Sequence, residues 1–322
     1  MRLRRSDLGR PGYSRRRSGK GFRYLDVEGE PLTDDAAVAR IKDLVIPPAW
    51  TDVWISTDPR GHIQATGTDD AGRKQYVYHP HWRTVRDEKK FDHAREIAER
   101  LPEIRSRLCA DLSGRGLTRD RVLAAIVRLL DMGMFRVGND QYAQRDDDPS
   151  YGLSTLLPEH VRTSGGCVVL EFTGKSGKEH AHPVEDGEVC QVLRDLRRRH
   201  RGQRRLFAYW DARARQWREI RADDVNAYLR EISGTEMTAK VFRTWHGTVK
   251  AADELAKAGP KESESARRKA VSHAMKEVAG LLGNTPAVAR GSYVDPRVVE
   301  AYEQGRTVDE PTEEAVLDLL TD

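Results

Sequence analysis

With 322 residues and 38% hydrophobic content, the chain is long enough to bury a full core, and its length suggests two domains. No apolar run approaches the ~20 residues that a membrane span needs, and no apolar segment follows the Arg-rich N-terminus, so neither a membrane protein nor a secretory signal is expected. The formal charge of +4 understates the basicity. Residues 307–322 carry six carboxylates and no Lys or Arg, so setting them aside raises the remainder from +4 to +10. A polyanion is the natural partner of such a chain, although a solvated surface with an acidic tail has the same composition.

Residues 1–21 hold Arg2, Arg4, Arg5, Arg10, Arg15, Arg16, Arg17 and Lys20 among Gly and Ser, which predicts a mobile basic arm that engages phosphates or simply solubilises the chain. From residue 22 the pattern turns to short strands. A helix with Thr33 as N-cap follows and stops at Pro47-Pro48; strands are then expected at Val53–Ile55, His62–Thr66 and Lys74–His79, joined by Asp58-Pro59-Arg60-Gly61 and Asp69-Asp70-Ala71-Gly72 turns. In the third strand the alternation puts Lys74, Tyr76 and Tyr78 on one face and Gln75, Val77 and His79 on the other. Cations mixed with hydrogen-bonding aromatics suit contact with phosphates and base edges; an amphipathic strand packed on its neighbour is the ordinary alternative.

The charged run Arg86-Asp87-Glu88-Lys89-Lys90 reads as a linker. Helices are predicted over residues 92–108 and 119–135, the second with an apolar stripe of Val122, Leu123, Ile126, Leu129 and Leu130 that belongs to the core. Arg136 then stands between apolar residues, a position that requires a carboxylate or a bound anion to offset lost hydration. Residues 167–183 read as a hairpin with Lys175 at its glycine-rich tip. Although Gly174-Lys175-Ser176 shares the end of the P-loop pattern, the first glycine of that pattern is missing, so ATP binding is rejected. The basic cluster Arg197-Arg198-Arg199-His200-Arg201 with Arg204-Arg205 fits either a phosphate-contact face or a solvated helix end. Arg243 is a second arginine set among aromatic residues. Gly283 and Pro286 mark the end of a further helix, which leaves Tyr293 near a chain break.

Cys109, Cys167 and Cys190 are too few and too scattered for a disulfide framework, and no C-x-x-C pair proposes zinc. His180 and His182 with Cys167 and Cys190 have the chemistry of a metal site, but core or solvated roles fit them better, and no metal or other cofactor is expected.

Phe135-Arg136-Val137-Gly138, Phe172-Thr173-Gly174-Lys175, Lys240-Val241-Phe242-Arg243, Asn284 and Tyr293 together, in this order, resemble the type IB DNA topoisomerases, especially the small two-domain form of bacteria and poxviruses. The likeness runs from the Gln75–Tyr78 strand to Tyr293. It implies an α+β architecture: a strand-rich DNA-clamp domain over residues 22–90 and a mainly α catalytic domain over 91–306 with a small β-hairpin or three-stranded sheet; the acidic tail over 307–322 is read from its charge and lies outside the likeness. It further implies relaxation of supercoiled DNA through a 3′-phosphotyrosyl intermediate without ATP or metal, by a monomer that clamps duplex DNA in the cytoplasm, associated with the nucleoid.

The resemblance makes Tyr293 the nucleophile, Arg136 and Arg243 the transition-state cations, and Lys175 the proton donor to the leaving 5′-oxygen. Asn284 stands nine residues before Tyr293, where many members have histidine. Lys74, Gln75, Tyr76, Tyr78, Tyr142 and Lys240 are the implied DNA contacts. A tyrosine recombinase shares the Arg, Lys, Arg, Tyr set, but usually carries His-x-x-Arg at the second arginine and a helical N-terminal domain. A DNA-binding protein without chemistry is the remaining alternative.

Overall fold

The computed structural model describes residues 1–133, 135–144, 149–164, 167–199 and 205–321. The Cys167 side chain, Met134, and His200, Arg201 and Arg204 of the basic cluster lie outside the described residues. The chain divides into two compact units, Met1–Lys90 and Phe91–Asp322. Its small antiparallel sheets and predominance of helix in the second unit make it an α+β protein, as the resemblance implies.

In the first unit β1 (Ser14–Ser18) pairs with β2 (Gly21–Leu25); α1 (Asp35–Asp43) follows, and β3 (Thr51–Ile55), β4 (Ile63–Thr68) and β5 (Lys74–Tyr78) form a three-stranded antiparallel sheet in that order. Asp34, not Thr33, caps α1, its carboxylate accepting from the Ala36 and Ala37 amides. Ile41 of α1 is buried with Ile46, Val53, Ile55 and Ala65; Val53 and Ile55 come from the alternation of β3, whereas the central strand β4 is buried at every position from Ile63 to Gly67.

Residues 1–21 are not the mobile arm that their composition predicts, for they pair with the rest of the unit. Tyr13 and Ile55 exchange two backbone hydrogen bonds of 2.8 Å, and Ser6 Oγ donates to the Ile63 carbonyl at 2.9 Å. Arg15 places its guanidinium over the Phe22 ring at 4.1 Å while donating to the carbonyls of Ile46, Pro47 and Trp50. Composition argued for disorder because little of this segment is apolar; neighbouring backbone groups and one arginine order it instead.

The expected linker is also helical. Pro80 opens α2 (Pro80–Leu112), in keeping with the fit of proline to a first helical turn, and Phe91, Ala94, Ile97, Leu101, Ile104, Leu108 and Leu112 are its buried residues. Then come α3 (Arg119–Leu130), capped by Thr118, and the short α4 (Asp140–Ala143). The strands β6 (Val161–Ser164), β7 (Cys167–Thr173) and β8 (Glu179–Val184) make an antiparallel sheet, followed by α5 (Gly187–Arg199). Next are the β9 (Ala208–Asp211) and β10 (Gln216–Glu219) pair, and α6 (Ala222–Ser233). The chain continues through α7 (Lys240–Ala258), α8 (Glu264–Leu282), α9 (Pro286–Ser292), α10 (Pro296–Glu303) and α11 (Glu313–Thr321). Among the described residues no helix is long and apolar enough to cross a membrane.

The acidic tail is no free tail. Val316 and Leu320, four residues apart and so on one helical face, are buried in the core of the second unit. Glu313 accepts from Arg105 Nη1 at 2.6 Å and from the Trp245 indole at 3.1 Å, while Arg105 also grips Asp131 with Nε at 2.8 Å and Nη2 at 2.9 Å. Burial alone would raise the Asp131 pKa, but hydrogen bonds from Arg105 and His246 outweigh it and hold the group at about 2.

Candidate active site

A single carbonyl organises the site. Helix α8 ends because Gly283 adopts a left-handed φ of 59°, a conformation that costs a glycine little, and the Asn284 amide turns back to the Ala279 carbonyl at 3.0 Å. The Leu282 carbonyl projects from this helix end, where the peptide dipoles leave partial negative charge. It accepts from Arg243 Nη2 at 2.6 Å and from Arg136 Nη2 at 3.4 Å. Two arginines more than a hundred residues apart in sequence are thus aimed by one backbone oxygen.

Each arginine is also anchored by its neighbours. Phe135 is buried beside Arg136, and the Arg136 carbonyl accepts from the Leu153 amide at 2.9 Å. Arg243 lies in the first turn of α7 between buried Phe242 and Thr244, and is only 3% exposed. Burial and the nearby charge of Arg136 lower its pKa to about 10, so it remains a cation at neutral pH. Among the described residues no carboxylate lies within salt-bridge distance of Arg136, so the burial cost noted from the sequence is met there by a carbonyl dipole and not by an acid.

Tyr293 is the C-cap of α9, its amide donating to the Ala289 carbonyl at 3.0 Å. Its half-buried ring has the Arg243 guanidinium carbon 5.3 Å from its centroid and Lys240 Nζ 6.0 Å from it. Burial by itself would raise the pKa of the phenol. The charges of Arg243 and Arg136, together with hydrogen bonds from both guanidinium groups, outweigh burial and hold the phenol below its ordinary range. Helix α7 also holds the tyrosine backbone: a Cβ on Gly247 would fall 2.8 Å from the Tyr293 carbonyl oxygen, and Thr248 Oγ1 lies 3.4 Å from the same oxygen.

Asn284 follows Gly283 directly. Both polar atoms of its side-chain amide are buried and neither has a hydrogen-bond partner among the described residues. A buried amide left with an unused donor and acceptor costs free energy unless a ligand meets it.

The structure therefore brings together Arg136, Arg243, Tyr293, Lys240 and the turn that carries Asn284. It does not bring Lys175 into contact with them. Lys175 opens a 3-10 turn, Lys175–Gly177, at the tip of the β7–β8 hairpin; its side chain is exposed and makes no hydrogen bond among the described residues. His180 and His182, on β8, lie 3.0 Å apart between ring nitrogens. Cys190 is buried and its thiol donates to the Val184 carbonyl, and among the described residues no His, Cys, Asp and Glu cluster suited to a metal is present.

Of the candidate DNA contacts, Lys74 and Tyr76 are exposed on β5, with Tyr76 and Tyr78 stacked at 6.0 Å. Gln75 lies on the opposite face and donates its amide to Asp69 at 2.8 Å. Tyr142 is half-buried on α4, and Lys240 is exposed at the start of α7. Gly247, Thr248 and the Leu282 carbonyl escaped sequence reasoning. A glycine inside a helical pattern is a readable sign of close approach, and Gly247 carried that sign; a backbone carbonyl leaves none.

Residues 79–315 match the family described as the eukaryotic DNA topoisomerase I catalytic core, and residues 21–69 match the bacterial DNA topoisomerase IB N-terminal domain. The chain is 32% identical over 302 residues to DNA topoisomerase 1B of Acanthamoeba polyphaga mimivirus, covering 91% of this chain and 88% of the viral one. It is 27% identical over 173 residues to DNA topoisomerase 1 of Schizosaccharomyces pombe, covering 53% of this chain and 20% of the yeast protein. The first family match spans most of the chain and the viral relative aligns nearly end to end, so the chain belongs to the type IB DNA topoisomerases.

Proposed function

We propose that this chain relaxes supercoiled duplex DNA by transient cleavage of one strand, with Tyr293 as the nucleophile. The observation that carries this reading is the phenol held beside two guanidinium groups that share one carbonyl. Attack of the phenolic oxygen on a backbone phosphorus forms a 3′-phosphotyrosyl ester as the bond to the 5′-oxygen breaks. The phenolic proton is lost, and the departing oxygen gains a proton to become a 5′-hydroxyl. After the free end rotates, that hydroxyl attacks the same phosphorus and expels Tyr293. One phosphoester replaces another at each step, so no ATP is consumed.

Arg136 and Arg243 present planar forks that match two non-bridging oxygens and stabilise the charge of a pentacoordinate transition state. Lys175, on its exposed two-glycine turn, reaches the leaving 5′-oxygen when DNA is bound and supplies its proton. Asn284 donates its amide hydrogen to a phosphate oxygen, which gives its buried and unpartnered side chain a function. Asn284→Ala is expected to slow single-turnover cleavage by about 10²–10³, whereas Asn284→His retains activity. An inactive histidine variant would contradict the donor role.

Two fixed cations provide the charge stabilisation that many nucleases take from metal ions. Relaxation of plasmid DNA in excess chelator is therefore expected, and a strict requirement for magnesium would remove this mechanism.

Duplex DNA as partner is supported by the β1–β2 hairpin. Arg16, Arg17, Lys20 and Arg23 are exposed on it without carboxylate partners among the described residues, and Arg16 lies directly opposite Arg23. Like charges so placed repel unless an anion lies across them. Lys74, Tyr76 and Tyr78 add a second surface of cation and phenol, and the protein acts as a monomer associated with the nucleoid. Trapping the chain on a nicked oligonucleotide and mapping the adduct to Tyr293 tests the whole reading; a DNA-binding protein without chemistry forms no adduct.

A further inference from the structure

His180 is a histidine of the site that the mechanism above does not use. It lies opposite Phe172 in the β7–β8 register, and its ring stacks on that phenylalanine at 5.1 Å and 17°. Its Nδ1 lies 3.0 Å from Nε2 of His182, and the His182 ring meets Phe135, the neighbour of Arg136, edge-on at 5.0 Å.

The free edge of the His180 ring faces the two turns that carry Lys175 and Asn284. A Cβ added to Gly174 would fall 2.5 Å from Nε2, so glycine is needed there to let the imidazole approach. A Cβ added to Gly283 would fall 3.7 Å from Cε1. Among the described residues, Nε2 is hydrogen-bonded to nothing and is not sealed from solvent. Burial, His182, and the charges of Arg136, Arg243 and Lys178 lower the pKa of His180, so the ring is neutral at neutral pH and carries one N–H.

Which nitrogen holds that proton depends on the paired histidine. When His182 Nε2–H donates to His180 Nδ1, the His180 proton must sit on Nε2, and the free edge becomes a hydrogen-bond donor. A phosphodiester gripped by the two arginines offers only acceptors and selects that arrangement. We propose that His180 is a further phosphate-binding residue of this site, donating through Nε2–H to the scissile phosphodiester, with His182 as the positioning residue that sets its tautomer. This rests on the reading of Tyr293, Arg136 and Arg243 given above. An imidazole donor is then present although residue 284 is asparagine, supplied from a sheet and not from the turn before α9.

The test is single-turnover cleavage of a nicked duplex oligonucleotide at saturating protein, with thermal unfolding recorded for each variant. His180→Phe keeps the aromatic stack on Phe172 and deletes the donor; it is expected to slow cleavage by about 10²-fold. His180→Gln, whose amide nitrogen reaches about as far as Nε2, is expected to recover most of that loss. Because His182 acts only through His180, the double variant His180→Phe/His182→Phe should cleave no more slowly than His180→Phe alone. Wild-type cleavage by His180→Phe overturns the proposal. So does equal slowing in the Phe and Gln variants, which would mean that the ring is needed for packing alone. Failure of the wild-type chain to form any adduct would instead remove the reading of Tyr293, and this proposal with it.

Discussion

Tyr293→Phe abolishes covalent adduct formation and plasmid relaxation, with a loss in cleavage rate on the order of 10⁶, the scale seen when a nucleophile that forms a covalent intermediate is deleted. Only the phenolic oxygen is removed. The ring remains against Arg243, and the Tyr293 backbone keeps its contacts with Ala289, Gly247 and Thr248. Binding of duplex DNA should therefore survive, and the variant should still compete with the wild-type chain for plasmid. The measurement is adduct yield on a nicked oligonucleotide beside a binding isotherm on an intact one. Residual adduct at a different residue would move the nucleophile elsewhere; loss of binding along with cleavage would show that the substitution damages the fold.

Arg243→Ala carries the second large effect, through two separable routes. It removes a transition-state donor, which alone costs about 10²–10³ in rate. It also removes the largest of the influences that hold the Tyr293 phenol below its ordinary range, leaving burial, which acts in the opposite direction, less opposed. A lowered phenol pKa lets tyrosinate form at lower pH, so the rising limb of the wild-type cleavage profile should lie below the usual range for tyrosine. In Arg243→Ala that limb should move to higher pH, and the loss measured near neutrality should exceed the loss measured in alkali. Arg243→Lys keeps the charge without the planar fork and should restore the limb more fully than the rate. A cleavage profile whose limb stays in place in Arg243→Ala would separate the arginine from the phenol and leave it only the phosphate. Because Arg243 is buried, unfolding curves must accompany the kinetics, so that lost packing is not read as lost chemistry.

The two histidines illustrate how a residue changes meaning between sequence and structure. As letters, His180 and His182 suggest a metal pair or core packing. Their alternate spacing on a strand puts both rings on one face, where the rings meet at 3.0 Å between nitrogens. What the strand pattern does not state is that Gly174 and Gly283 leave room at the edge of one ring, or that two arginines from other segments lie near it.

Local chemistry also misled in identifiable places. Arg-rich composition argued for a free N-terminal arm, yet β1 is paired and Arg15 is bound to three carbonyls of its own unit. Charge marked residues 307–322 as an acidic tail, yet Glu313 pairs with Arg105, and Val316 and Leu320 give α11 a face that the core accepts. In both cases the apolar or hydrogen-bonding minority of residues decided the outcome, because folding free energy depends on what each group meets and not on the average composition of a segment.

The hairpin with Lys175 at its tip, the helix break before Asn284, and the ordered set of arginines, lysine and tyrosine that places the chain among its relatives are all legible in the amino-acid order, and the α+β character comes with that likeness. These are local or serial properties, written in periodicity, glycine and proline punctuation, and order along the chain. Folding alone brings the Leu282 carbonyl to both arginines, buries the Asn284 amide without a partner among the described residues, and turns His180 toward the same turns. Those facts depend on the direction of backbone dipoles and on contacts between segments far apart in sequence, and neither is encoded in the identity of any one residue.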